Sequence, residues 1–161
     1  MIVVADTTPV NYLILIGEID VLPRLYGRVV IPLAVHEELT RSRAPASVRA
    51  WIAQPPDWLE ILSPSPVTDT ALAKLDAGER EAIALAEQLS FSSDSIQLIV
   101  DELQGRREAE RRGLSVIGTI GVLREAAEEG LLDLRSALER LRQTSFHISP
   151  AILARLLDEE R

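Results

Sequence analysis

The chain has 161 residues, the size of one domain, with 47% hydrophobic residues and a formal net charge of −8. That hydrophobic content argues against disorder, and the acidic balance argues against a protein that coats nucleic acid. With no cysteine and only His36 and His147, disulfides and thiolate zinc sites are excluded. Any metal must rest on oxygen ligands, the chemistry of magnesium or manganese.

In chain order, Ile2–Ala5 is a short apolar run that predicts a buried parallel strand rather than a signal peptide. Thr8 as N-cap and Pro9 at the first helical position predict a helix that Gly17 stops. Asp20–Tyr26 predicts a short second helix. Arg28–Ile31 reads as the second strand, and Pro32 opens a helix over Leu33–Arg41. Ser47–Ala53 is a helix candidate, and Trp58–Leu62 a minor strand. Ser63–Pro66 is a loop rather than a domain linker.

Gly78–Leu89 carries helical periodicity in Ala82, Ile83, Leu85, Ala86 and Leu89. Gln97–Val100 reads as a strand, Glu102–Arg112 as a charged helix ended by Gly113, Leu114–Ile117 as a strand and Ile120–Glu129 as a helix. Two helices follow, Leu134–Arg142 and Pro150–Glu159. Strand and helix alternate, which implies a parallel sheet with helices on both faces. The expected organisation is one domain over 1–161, a core over 1–133 and a C-terminal helical extension over 134–161. No segment approaches the ~20 apolar residues of a membrane span. The expected compartment is the cytoplasm.

Open parallel sheets bind ligands beyond the carboxyl ends of their strands. Asp6 follows the first strand and Asp101 the fourth apolar run. Glu79 starts its helix, and Glu38 sits in the helix after the second strand. Each has a plainer reading. Asp6 can assist a helix dipole, and Glu79 can complete a capping box with Asp76. Asp101 can cap its own helix with Gln104 returning the bond, and Glu38, like Glu37 and Glu81, can be a solvated helix charge. Convergence of all four makes sense only around a cation, because like charges brought together repel.

The segment Val3-Val4-Ala5-Asp6-Thr7-Thr8-Pro9 resembles the opening of PIN-domain proteins. Val29-Val30-Ile31-Pro32 with Val35-His36-Glu37-Glu38-Leu39 looks like their second strand and acidic helix. Gly78-Glu79-Arg80-Glu81-Ala82-Ile83 is similar to their third acidic motif, and Leu98-Ile99-Val100-Asp101-Glu102 to the fourth. Leu114–Leu123 and the helical tail match as well, so the resemblance spans nearly the whole chain. It is strongest to a prokaryotic branch related to VapC-type toxins.

The resemblance implies a three-layer α/β/α fold with a mostly parallel sheet and a metal-dependent ribonuclease site. Carried over by position, Asp6, Glu38, Glu79 and Asp101 form the acidic quartet that binds Mg2+ or Mn2+, and Thr7 stands beside Asp6. Many relatives have Asp where this chain has Glu79, so Glu81 is an alternative third acid and Glu102 an alternative to Asp101. One ion, or two about 3.5–4 Å apart, would serve hydrolysis of an RNA phosphodiester. The implied products carry 5′-phosphate and 3′-hydroxyl ends.

Substrate contacts are expected from Arg106, with Arg41, Arg43 and Arg107 as further candidates. Arg107 and Arg111 sit among Glu108 and Glu110 and also read as surface ion pairs. The resemblance also admits a homodimer and a cognate antitoxin protein that blocks the acids with an arginine. The competing reading is a non-catalytic PIN-like nucleic-acid-binding or regulatory module. A dehalogenase-type phosphatase would need a second aspartate where Thr8 stands. A phosphorelay receiver would need paired acids after its first strand and a lysine after its last, and Lys74 is the only lysine. Glycine-rich phosphate loops are absent.

Overall fold

The first apolar run becomes β1 (Ile2–Ala5), buried on both faces. Its side chains alternate between two cores: Val3 and Ala5 enter one, Val4 the other. The same alternation holds for Val29, Val30 and Ile31 of β2 (Arg28–Pro32), and for Leu98 and Ile99 of β4 (Ile96–Ile99). Two-sided burial is why these strands read as continuous apolar runs. β3 (Leu59–Leu62) pairs only with β2, and β5 (Ser115–Ile117) only with β4, so they form the edges. All pairings are parallel, and the strand order is β3-β2-β1-β4-β5. This computed structural model describes residues 1–66, 68–93 and 95–159; Val67, Asp94, Glu160 and Arg161, all within the expected single domain, lie outside the described residues.

Helices cover both faces, as three layers require. On one side lie α1 (Thr7–Leu15), α2 (Val21–Leu25), α3 (Leu33–Thr40), α4 (Ala46–Ala53), α7 (Thr119–Glu128), α8 (Leu134–Arg142) and α9 (Pro150–Glu159). The other side holds α5 (Ala77–Ser90), α6 (Leu103–Arg111) and a 3-10 turn at Leu72–Lys74. Leu134, Ala137, Leu138, Leu141 and Leu156 pack into the same core as Val3 and Leu13. At the level of packing, the C-terminal helices are continuous with the rest. Each leucine so buried is worth about 1.5–3 kcal/mol relative to exposure.

The strand order places the topological switch between β1 and β4. The chain moves outward from β1 through β2 to β3, then returns across the sheet to β4. Ala5 pairs with Ile99, and the Asp6 amide donates to the Ile99 carbonyl at 3.0 Å. Asp6 and Asp101 therefore leave adjacent strands at the crevice where parallel sheets bind ligands.

Two local expectations are corrected. The N-cap of α1 is Asp6, not Thr8, and Pro9 is the third helical residue. Amides of the first turn have no intrahelical acceptor, so Pro9 forfeits nothing there. The Asp6 side chain makes no cap hydrogen bond, which leaves its carboxylate for another use. Asp101 does not cap α6 either; Glu102 occupies that N-cap.

Candidate metal and nucleic-acid site

Asp6 extends from β1 at the carboxyl edge of the sheet, and Glu38 reaches the same place from the last turn of α3. Gly78, in the first turn of α5, shows how close they come. A Cβ built on Gly78 would lie 2.9 Å from Asp6 Oδ1, 3.2 Å from Thr7 Oγ1 and 3.4 Å from Glu38 Oε2. Three oxygens from two sequence segments thus surround one point on a third, and only a glycine leaves that point free. Thr7 Oγ1 donates to Glu38 Oε2 at 2.9 Å, which aligns the glutamate.

Asp6 is 5% exposed, and its Oδ1 is buried with no hydrogen-bond partner among the described residues. Burial pushes its carboxyl up to about 7. The Thr7 amide opposes that shift, and the charges of Asp76, Glu79 and Glu38 reinforce it. Glu79 is equally buried and is also pushed up to about 7, by burial first and then by Asp76 and Glu102. Its amide donates to Asp76 Oδ1 at 2.9 Å, so half of the expected capping box forms. The Glu79 side chain is left to turn inward against Gly105 of α6, where an added Cβ would lie 3.4 Å from Glu79 Cδ.

Asp101 is held differently. Thr119, the first residue of α7, donates its amide to Oδ1 at 2.8 Å and its hydroxyl to Oδ2 at 2.5 Å. Burial raises this carboxyl too, against the Thr119 hydrogen bonds and the nearby charge of Arg106. Arg106 Nη1 and Asp101 Oδ1 would each lie 2.8 Å from a Cβ on Gly118, so guanidinium and carboxylate converge over that glycine. The alternative acids separate as well. Glu81 accepts from the Ala34 amide at 3.1 Å and so serves the N-terminus of α3. Glu102 is exposed and acts on Glu79 through its charge.

A family model described as PIN domain matches residues 2–160. The chain belongs to the PIN-domain family. PIN domains are generally nucleases and typically use divalent metals. No curated protein matches the chain. No helix among the described residues is long and apolar enough to cross a membrane.

The donor chemistry of this PIN domain fits a hard divalent cation. Carboxylates and a threonine hydroxyl offer oxygen only, and Asp6 Oδ1 has no hydrogen-bonding neighbour among the described residues. As placed, no three acidic or histidine side chains among the described residues converge tightly enough to hold an ion between them. The convergent part is Asp6 and Glu38 with Thr7, which matches magnesium's habit of taking one or two carboxylates and keeping water in its other positions.

Beside the acids lies an open cavity of about 420 Å³ between α1, α3 and the Arg41–Pro45 turn. Thr7, Glu38, Tyr12, Arg41, Arg43 and Ser145 are among its walls. Arg111, by contrast, is held by Glu108 at 2.7 Å, as its mixed-charge helix suggests.

Sequence reading gave Asp76 only a capping role and gave Thr119 none. Asp76 adds charge to the cluster as well as capping α5. Thr119 organises Asp101. The Gly118-Thr119 pair after β5 is a detectable signal for the second, since a small residue and a hydroxyl open a helix beside the crevice.

Proposed function

We propose that this PIN domain is a metal-dependent ribonuclease, with Asp6, Glu38, Glu79 and Asp101 as its acidic residues and Mg2+ or Mn2+ as its cofactor. One observation carries the reading: the buried, unpartnered Asp6 Oδ1 that shares a point in space with Glu38 and Thr7 at the switch of a parallel sheet. A fold that forces carboxylates together without an ion keeps them protonated or strained; an ion relieves both.

Asp6 and Glu38 would hold the cation, and Glu79 would bind it directly or through water. When bound, the cation supplies Lewis-acid stabilisation of the charge that develops on the phosphate. Thr7 keeps Glu38 oriented. Thr119 fixes both oxygens of Asp101, and Arg106 beside it would offer its guanidinium to a phosphate oxygen, a pairing suited to arginine. The same acidic centre would accept an arginine from a cognate antitoxin, should the protein serve as a toxin, and a homodimer would fit that role.

Calorimetry with manganese and cleavage of single-stranded RNA test the reading together. The expected result is manganese binding, cleavage that EDTA stops, and products with 5′-phosphate ends. Absence of manganese binding would support the non-catalytic module instead, and cleavage indifferent to EDTA would remove metal from the mechanism.

A further inference from the structure

We propose that the cavity between α1 and the Arg41–Pro45 turn is a nucleotide subsite, holding one nucleotide next to the phosphate that is cut. Arg41 and Arg43 take its backbone phosphate, and Tyr12 receives its base. The catalytic part of this assignment rests on the ribonuclease reading; the binding part does not.

The cavity opens directly onto the acids, because Thr7 and Glu38 belong to both. Its volume of about 420 Å³ falls within the roughly 300–1,000 Å³ of small-ligand sites. Arg41 and Arg43 are exposed, and among the described residues neither forms a salt bridge, although the chain carries 25 acidic residues against 17 basic ones. Several other arginines are taken up by carboxylates, among them Arg28 by Glu60, Arg112 by Asp69 and Glu87, and Arg140 by Glu18; what sets Arg41 and Arg43 apart is that both line this one cavity. Two cations without a salt bridge among the described residues, on the wall of a cavity that reaches Glu38, suit a ligand that brings its own negative charge. That ligand must also approach the acids, which a phosphodiester does in company with a divalent cation.

Tyr12 supplies the second half of the argument. Its ring meets Phe146 edge to face at 5.0 Å, and its hydroxyl lies 2.7 Å from Ser145 Oγ. Both partners come from the segment between α8 and α9. The ring is therefore held before any ligand arrives, so stacking a base on it costs little side-chain entropy. Asn11, on the same wall, carries an amide able to donate to and accept from a base edge. Guanidinium, fixed aromatic ring and amide around one cavity are the parts of a single-strand site, where bases stack on aromatics and arginines follow the backbone. The C-terminal segment thereby becomes a wall of the substrate site.

The test is fluorescence anisotropy of a labelled single-stranded RNA decamer with the full chain in EDTA, as a function of salt. Wild type should bind with a salt dependence that becomes shallower by about 0.7 per arginine removed, so by about 1.4 in Arg41→Ala/Arg43→Ala. Tyr12→Leu should weaken binding about 5- to 100-fold, and Tyr12→Phe, which keeps the ring, should restore most of it. Thermal melts confirm that each variant is folded. No RNA binding by wild type, or unchanged affinity and salt slope in the arginine variant, would overturn the subsite, and the first result would leave an acidic protein partner as the better occupant. Arginine-dependent binding without any metal-dependent cleavage would keep the subsite and sink the ribonuclease. Metal-dependent cleavage with an unchanged KM in the arginine variant would do the reverse.

Discussion

Asp6 and Asp101 follow neighbouring parallel strands, one residue type in two equivalent places, yet they are treated in opposite ways. Asp101 is fully engaged, with one oxygen on the Thr119 amide and the other on its hydroxyl, and Arg106 close by. Asp6 is the more deeply buried, and it keeps Oδ1 without a partner among other carboxylates. The difference teaches where the molecule stores unfavourable electrostatics. One aspartate is a structural anchor that also faces the crevice. The other keeps a buried oxygen that nothing among the described residues offsets, and the proposed metal site rests on that difference.

The largest effect should come from neutralising each aspartate in turn. Asp6→Asn should lower metal-dependent RNA cleavage roughly a thousand-fold or more, since Lewis-acid stabilisation is worth several kcal/mol. It should at the same time raise the thermal stability of the metal-free protein, because it removes a buried charge that has no partner. Asp101→Asn should also impair cleavage, but it should lower stability, because the single oxygen of the asparagine amide cannot replace both acceptors that the Thr119 amide and hydroxyl use. Chemical denaturation of the two variants beside wild type separates the roles. If both shift stability in the same direction, the contrast is wrong.

Next in size is the pH dependence of the metal-free protein. A carboxyl raised to about 7, as at Asp6 and Glu79, binds its proton more tightly folded than unfolded. Its contribution to stability is present below the ordinary carboxylate range and is lost as pH rises from about 4 to about 7. Urea unfolding across that window should show stability falling with pH by an amount on the order of a few kcal/mol. Saturating manganese should flatten the curve, and Asp6→Asn should remove part of it. A flat metal-free profile would show that the acids do not strain the fold.

The smallest expected effect is the most specific. Gly78→Ala places a methyl group where Asp6, Thr7 and Glu38 converge, 2.9 Å from Asp6 Oδ1. Alanine favours a helix by up to about 1 kcal/mol over glycine, which offsets part of the strain. Metal-free stability should therefore change little, while manganese affinity falls about 10- to 100-fold, the range typical of disturbing the surroundings of a metal ligand. Calorimetry reads this directly, and unchanged affinity would move the ion away from Gly78.

Much of this was legible in the chain itself. Buried parallel strands are apolar on both faces, so Ile2–Ala5, Arg28–Ile31 and Gln97–Val100 announced themselves, and their alternation with helices led to the layered parallel sheet. Acids just past those strands marked the crevice, and the family resemblance ordered them. Helix ends were less secure: the cap of α1 shifted from Thr8 to Asp6, because several polar residues in a row can each start a turn.

The choice between neighbouring acids lay beyond the linear pattern. Glu79 and Glu81 are two positions apart on one helix, so they point about 200° apart around its axis, and only the packing of α5 shows which one turns inward. The sequence thus determined the fold class and supplied the oxygen-bearing candidates for the site, because hydrophobic periodicity and residue chemistry are local properties. Tertiary structure alone decided that Glu81 serves α3, that Thr119 holds Asp101, and that Ser145 and Phe146 brace Tyr12. Those contacts join residues from 18 to 134 positions apart, and separations of that kind are set by how layers pack, not by any pattern along the chain.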